Sequence, residues 1–282
     1  MRCAWQAYLN LLPHWMRCEV DKIGREVLQE LRLRIGSEPE LTMQNDNRLL
    51  SRAATSDDLT FVINAASEYS PWASATVRQG FITAAGGHRI GVCGQCTVAD
   101  GSLRGIAVPT SLCLRVARDF PGISDTSARN PGSVLIIGPP GSGKTTLLRD
   151  LIRQKSDMGP GSVGVVDERE ELFPMFKGQA CFPAGKRTDI ISGCSKSEGI
   201  EVLLRCMNPH WIAMDEITAA ADCEALLHAG WCGVNLMATA HASSLSELKT
   251  RSVYKPLLQN NLFSTILILR RDKSWMMERI HV

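Results

Sequence analysis

The chain has 282 residues, 44% of them hydrophobic and 21% charged, with a formal net charge of +2. That length accommodates two modest domains, and the composition is that of a soluble globular protein. The small net charge gives no field for non-specific nucleic-acid binding, and no stretch approaches the roughly 18 apolar residues of a membrane span. The N-terminus carries aromatics and Pro13 where a signal peptide would have a continuous apolar run, so a cytoplasmic location is expected.

Ten cysteines are scattered along the chain. Without an export signal they are expected as free thiols, several of them in apolar runs where cysteine acts as a small hydrophobe. Cys93 and Cys96 form a C-x-x-C, but a zinc site would want a second pair at matching spacing. They read as two thiols on a hairpin.

In chain order, residues 13–30 carry Val20, Ile23, Val27 and Leu28 at helical spacing, which predicts a helix. Leu31 to Ile35 alternates apolar and polar and predicts a half-buried strand ending at Gly36. Ser56-Asp57-Asp58 is a cap for a second helix that stops before Pro71. From Gly80 to Arg118 short β-like runs alternate with glycines, at 81–83, 89–92 and 111–116. Together these make an α+β domain over 1–119. Residues 120–132 are rich in Pro, Gly, Ser and Asp without apolar periodicity, and read as an interdomain linker.

Residues 133–282 alternate strand and helix, which implies a mostly parallel sheet with helices on its faces. Predicted strands are 133–137, 163–167, 211–215 and 234–239, with helices at 146–152, 198–206 and 219–229. The runs 263–269 and 275–280 close the chain as an antiparallel hairpin.

The stretch Gly138, Pro139, Pro140, Gly141, Ser142, Gly143, Lys144, Thr145, Thr146 fits the phosphate-loop pattern G-x-x-x-x-G-K-[ST] between a strand and a helix. Its glycines let backbone N–H groups close around phosphates, and the helix N-terminus adds partial positive charge. These nine residues are the candidate nucleotide site, with Lys144 on the β- and γ-phosphates and Thr145 on Mg²⁺. The strand ending in Asp215 and Glu216 sets two carboxylates at the ligand edge of a parallel sheet. Asp215 is expected in the Mg²⁺ shell, and Glu216 as the group that orients or deprotonates the attacking water. A second acidic strand end, 167–171, offers Glu168 near the metal or water. A third offers His241, after Thr239, as a sensor of the γ-phosphate.

Taken together, the phosphate loop, acidic box, Asp-Glu strand end and Thr-x-His box resemble the secretion-type ATPases of type II and type IV systems. Within that set the chain resembles the stage III sporulation protein AA family. The stretches that carry this are 30–36, 80–83, 86–94, 114–118, 187–189, 198–200, 207–218, 229–233 and 239–242.

The resemblance implies a RecA-like P-loop ATPase domain behind a smaller α+β N-terminal domain, with ATP and Mg²⁺ as ligands. It implies a homo-hexameric ring in the mother cell of endospore-forming bacteria. The ring would lie at the cytoplasmic face of a membrane complex, the channel apparatus between mother cell and forespore. In such rings an arginine often completes the site, and Arg89, Arg115, Arg118 and Arg205 are the candidates here. Two other readings remain at this stage: a nucleic-acid-dependent RecA-like motor, and a nucleotide-gated scaffold that does not hydrolyse. The first predicts a basic channel or stacking platform, neither of which is seen in the sequence; the presence of Glu216 argues against the second.

Overall fold

The computed structural model describes residues 1–282 apart from 45, 69–79, 100–101, 125–129 and 280–282. The chain divides into two compact units, Met1–Asp119 with Pro174–Phe182, and Phe120–Phe173 with Pro183–Val282.

The first unit begins with helices α1 (Trp5–Asn10) and α2 (His14–Ile23), then strands β1 (Glu30–Arg34), β2 (Glu40–Thr42) and β3 (Asn47–Leu49). Helix α3 (Ser56–Ser67) and strands β4 (Phe81–Thr83), β5 (Arg89–Ala99) and β6 (Ser102–Arg115) follow. The strands form one sheet in the order β3-β2-β1-β6-β5-β4, with every neighbouring pair antiparallel. Alternation in β1 buries Leu31 and Leu33 in a core shared with Tyr8, Met16, Leu59 and Val62. A capping box between Thr55 and Asp58 starts α3.

Two expectations for this unit need correcting. The helix over 13–30 is shorter: α2 stops at Ile23 because Gly24 takes φ 82°, and the chain turns before β1. The run 81–83 is strand β4 as expected, but the runs 89–92 and 111–116 belong to a long hairpin, β5 with β6, whose register shifts around Gly94 and beyond. Those irregularities break the alternation that would have revealed it. Helix α1 carries no periodic signal long enough to read. Cys93 and Cys96 both lie exposed on β5 as free thiols. The expected stop before Pro71 lies outside the described residues.

The second unit runs from β7 (Val134–Ile137) through α4 (Lys144–Met158) to β8 (Val163–Asp167). A two-stranded excursion, β9 (Met175–Phe176) with β10 (Gln179–Ala180), belongs to the first unit. Then come β11 (Thr188–Ser192), α5 (Lys196–Cys206), β12 (Trp211–Met214), α6 (Ala220–Trp231) and β13 (Asn235–Ala240). Short helices α7 (Leu245–Thr250) and α8 (Lys255–Gln259) lead to β14 (Thr265–Leu269) and β15 (Trp275–Arg279). The sheet order is β11-β8-β12-β13-β7-β14-β15, parallel throughout except for the final hairpin.

Strands β7, β8 and β14 are buried at every position, as expected of strands covered on both faces. Helix α5 approaches β8 so closely that a Cβ on Gly199 would come within 2.5 Å of Val166. The start of segment 120–132 is tied to α4: the Asp150 carboxylate accepts from the Gly122 and Ser124 amides at 3.0 and 2.8 Å. Among the described residues no helix is long and apolar enough to cross a membrane.

Candidate functional site

The register aligns Ile137 with Ala240, and Met214 with both Ala238 and Val166. The C-terminal ends of β7, β8, β12 and β13 therefore open side by side. The phosphate loop leaves β7, Asp167 ends β8, Asp215 and Glu216 follow β12, and His241 follows β13. Strand topology alone thus gathers four segments that are up to about a hundred residues apart in sequence.

The loop has the backbone its glycines predict, with φ of 72° at Gly141 and 99° at Gly143. A side chain at Gly138 would come within 2.6 Å of Ser142 Oγ and 2.9 Å of the Leu269 carbonyl. Lys144, the first residue of α4, is buried. Its Nζ donates to the carbonyls of Gly138 at 3.0 Å and Pro139 at 3.1 Å, and to His241 Nδ1 at 3.1 Å. Burial lowers its pKa, and the Asp215 and Glu216 carboxylates oppose that shift. Lys273 donates to the Gly141 carbonyl.

Asp215 accepts from Thr145 Oγ1 at 2.6 Å and from Thr239 Oγ1 at 2.5 Å. The Thr239 hydroxyl in turn accepts the Glu216 amide at 2.8 Å. Glu216 itself takes a left-handed φ of 55°, a conformation that costs a non-glycine residue about 1–3 kcal/mol unless its surroundings hold it. Its Oε1 lies 2.6 Å from His241 Nε2. An ammonium has no lone pair, so His241 Nδ1 must be the acceptor toward Lys144, and Nε2 carries the proton donated to Glu216. Lys144, His241 and Glu216 are thus joined in one chain of hydrogen bonds.

An open crevice is lined by Glu168, Arg169, Lys196, Asp215 and Glu216, among others. Glu168 is 3.5 Å from Lys196 Nζ, an ammonium that also donates to the Glu216 carbonyl at 2.7 Å. The neighbouring Asp167 is buried, accepts the amides of Glu171, Leu172 and Phe173, and shapes the turn after β8. Burial raises its pKa, with the three amides working against the shift.

Lys196 and the bridging role of Thr239 escape a sequence reading, because each contacts the site through tertiary packing. Of the arginine candidates, Arg89 stacks over Phe81, Arg115 pairs with Glu30 at 3.1 Å, and Arg118 donates to the carbonyls of Arg25 and Leu28, all inside the first unit. Arg205 is exposed in the last turn of α5. Within the second unit Arg169 lines the crevice.

The residues present fit a magnesium–nucleotide complex. The Thr145 hydroxyl and Asp215 carboxylate are hard oxygen donors already in contact, the type of ligand Mg²⁺ takes. Ser142 Oγ is buried in the loop with no hydrogen-bond partner among the described residues, a donor left for a ligand oxygen. A lysine and a helix N-terminus supply the positive field for phosphate.

Comparison with known proteins agrees with this architecture. The sequence model of the family described as "Sporulation stage III, protein AA" matches residues 7–278. Stage III sporulation protein AA of Bacillus subtilis (strain 168) is 34% identical over 277 residues, covering 94% of this chain and 90% of that protein. Among solved structures, the Legionella pneumophila ATPase DotB superposes with a TM-score of 0.60 at 19% identity, over 95% of this chain and 80% of that one. The pilus retraction motor PilT with bound ADP gives 0.62 at 15% identity, over 94% and 83%. At these identities the likeness establishes the fold alone: a RecA-like P-loop α/β domain, preceded in the chain by a smaller α+β domain.

Proposed function

Because the chain belongs to the sporulation stage III protein AA family, we propose that it is a Mg²⁺-dependent ATP hydrolase that powers assembly or transport by the mother cell–forespore channel during endospore formation. The observation that carries the hydrolase reading is the continuous hydrogen-bonded set of Lys144, His241, Glu216, Thr239, Asp215 and Thr145 at the open ends of parallel strands. The fold shared with DotB and PilT supports it, as does the phosphate loop itself.

In this reading the loop 138–146 cradles the phosphates, and Lys144 moves its ammonium from the Gly138 and Pro139 carbonyls onto phosphate oxygens. Thr145 and Asp215 would hold Mg²⁺, and the chemistry it would supply is neutralisation of charge on the phosphates and the leaving group. Glu216 accepts a hydrogen bond from the attacking water on one carboxylate oxygen while the other stays on His241 Nε2. His241, whose Nδ1 faces Lys144, reports to Glu216 whether that ammonium is engaged by a γ-phosphate. Glu168, on the same crevice, helps order water near the metal. A homo-hexamer at the cytoplasmic face of a membrane-embedded channel, in the mother cell, is the assembly we propose for it. The small net charge gives no field for non-specific nucleic-acid binding, so no nucleic-acid partner is proposed.

Phosphate release from purified protein with Mg²⁺-ATP tests this. Lys144→Ala is expected to lose nucleotide affinity together with activity. Glu216→Gln is expected to bind ATP and to hydrolyse it at least about a hundredfold more slowly. Wild-type protein that neither binds nor hydrolyses ATP, alone or with membrane partners, would sink the proposal. Stimulation by single-stranded DNA or RNA would redirect it to a nucleic-acid motor.

A further inference from the structure

We infer that Lys196 is a positioning residue that fixes the backbone of Glu216, and through it the carboxylate on which the proposed hydrolysis depends. Lys196 opens helix α5, which is held in place by a capping box between Ser195 and Glu198 and by the tight seat of Gly199 on Val166. From there its side chain runs inward until the residue is only 8% exposed. The ammonium donates to the Glu216 carbonyl at 2.7 Å, with carboxylate oxygens of Glu168 at 3.5 Å and Asp222 at 3.6 Å.

Both peptide groups flanking Glu216 are therefore fixed. Its amide goes to Thr239 Oγ1 at 2.8 Å and its carbonyl to Lys196. Asp222 adds a further anchor by accepting the amides of Thr218 and Ala219 at 2.8 and 3.1 Å. Held at both ends, Glu216 keeps a left-handed φ of 55° although it is not glycine, and in that conformation its side chain reaches His241 at 2.6 Å.

Take the ammonium away and the negative end of the Glu216 carbonyl dipole faces the carboxylates of Glu168 and Asp222. The peptide between Glu216 and Ile217, left with only the Ile217 N–H bond to the Thr239 carbonyl at 2.8 Å, then tilts about that bond, shifts the Glu216 Cα, and draws the carboxylate away from His241. Lys196 also brings the acidic end of β8, through Glu168, into electrostatic contact with the acidic end of β12. Its kinetic role presupposes the hydrolase reading above; its hold on the Glu216 backbone does not.

The test compares Lys196→Met, Lys196→Gln and Lys196→Arg with wild type in the full chain, and uses Glu201→Gln, an exposed change on the same helix, as control. In Lys196→Met, kcat for phosphate release is expected to fall on the order of a hundredfold, because a small misplacement of a catalytic group costs that much. Affinity for a non-hydrolysable ATP analogue should stay within about threefold, since the phosphate loop is untouched. Lys196→Gln, which keeps an N–H donor, and Lys196→Arg, which keeps the charge, should each recover part of the loss.

Independently of turnover, a crystal structure of Lys196→Met should show the Glu216–Ile217 peptide tilted from its wild-type orientation and the Glu216 carboxylate parted from His241, with the Thr145–Asp215 bond intact. Glu216 unmoved in that crystal overturns the inference. So does a Lys196→Met kcat equal to wild type. If the wild type does not hydrolyse ATP, the hydrolase reading alone falls and the crystal structure still decides. If Lys196→Met does not fold, the Gln and Arg variants are held to the same two readouts.

Discussion

Thr239 is a residue with two obligations and no freedom to fail either. Fully buried, it donates to Asp215 and accepts from the Glu216 amide, so one hydroxyl sets the spacing of both carboxylates. Replacing it with the near-isosteric valine leaves a half-buried amide and a half-buried carboxylate oxygen each short of a protein partner. Thr239→Val should destabilise the protein by about 1–3 kcal/mol in chemical denaturation, and lower kcat more than it weakens nucleotide binding. Thr239→Ser should retain both properties. A valine variant of wild-type stability would mean that the two carboxylates find other partners. The sequence exposes such residues unevenly. Lys144 and Thr145 are legible because the phosphate loop is local, every member lying within nine residues. Asp215, Glu216 and His241 are legible because apolar strands end at them, and strand ends of a parallel sheet converge. Thr239 sits inside a strand where a small polar residue looks like any other, and Lys196 reaches the site from a helix start whose direction no local pattern encodes.

Among the elements, the junction of β7, loop and α4 is the one whose chemistry leaves least room for change. A methyl group on Gly138 meets Ser142 Oγ at 2.6 Å on one side and the Leu269 carbonyl at 2.9 Å on the other. The hydroxyl can rotate away, but the carbonyl is β14 backbone and cannot. Gly138→Ala should therefore distort the loop where the Gly138 carbonyl receives Lys144, weakening ATP-analogue binding by about tenfold or more while the far-UV circular dichroism stays native. Unchanged affinity would show that the loop can shift without consequence. Most elements of this unit are legible because β7, β8, β12, β13 and β14 are apolar runs, whereas β11, half-buried along its length and carrying Thr188, Asp189 and Ser192, has no such run to reveal it. In the first unit legibility falls where local irregularity intervenes. Gly24 stops α2 early although Val27 and Leu28 continue its apolar spacing, and the bulges after Cys93 scramble the alternation of β5 and β6. The pairing of residues 175–176 with 179–180 is another such case, since nothing in so short a run says which unit it joins.

Over the whole molecule, the two units have different buried titrating groups, and acid should find them in order. His88, in the first unit, is fully buried. It accepts the Ala117 amide on Nδ1 at 3.1 Å and donates from Nε2 to the Ala4 carbonyl at 3.0 Å, with the Tyr8 ring edge-on. Burial holds its pKa below the ordinary 6.5; the Ala4 bond opposes that shift and the Arg118 charge adds to it. A proton on Nδ1 would also face the Ala117 N–H. The unfolded chain thus takes up a proton near pH 6.5 that the folded unit refuses, so this part of the stability is present above that pH and drains away as the pH falls below it. Asp150, in the second unit, behaves oppositely in origin and later in pH. Burial raises its pKa, but the Gly122 and Ser124 amides, the Ser124 hydroxyl and Arg153 outweigh burial and leave it below the ordinary 3.8. Its contribution persists above pH 3.8 and is lost only as the pH falls through the lowered value. Segment-resolved hydrogen exchange, corrected for the intrinsic rate at each pH, should therefore show protection in β1 and β6 declining below pH 6.5 while β7 and α4 hold until the carboxylate range. His88→Gln should flatten the upper part of that profile, since glutamine offers an acceptor and a donor but no titration. Loss of protection in both units together, and only at the lower pH, would remove His88 as the first acid-sensitive point of the fold.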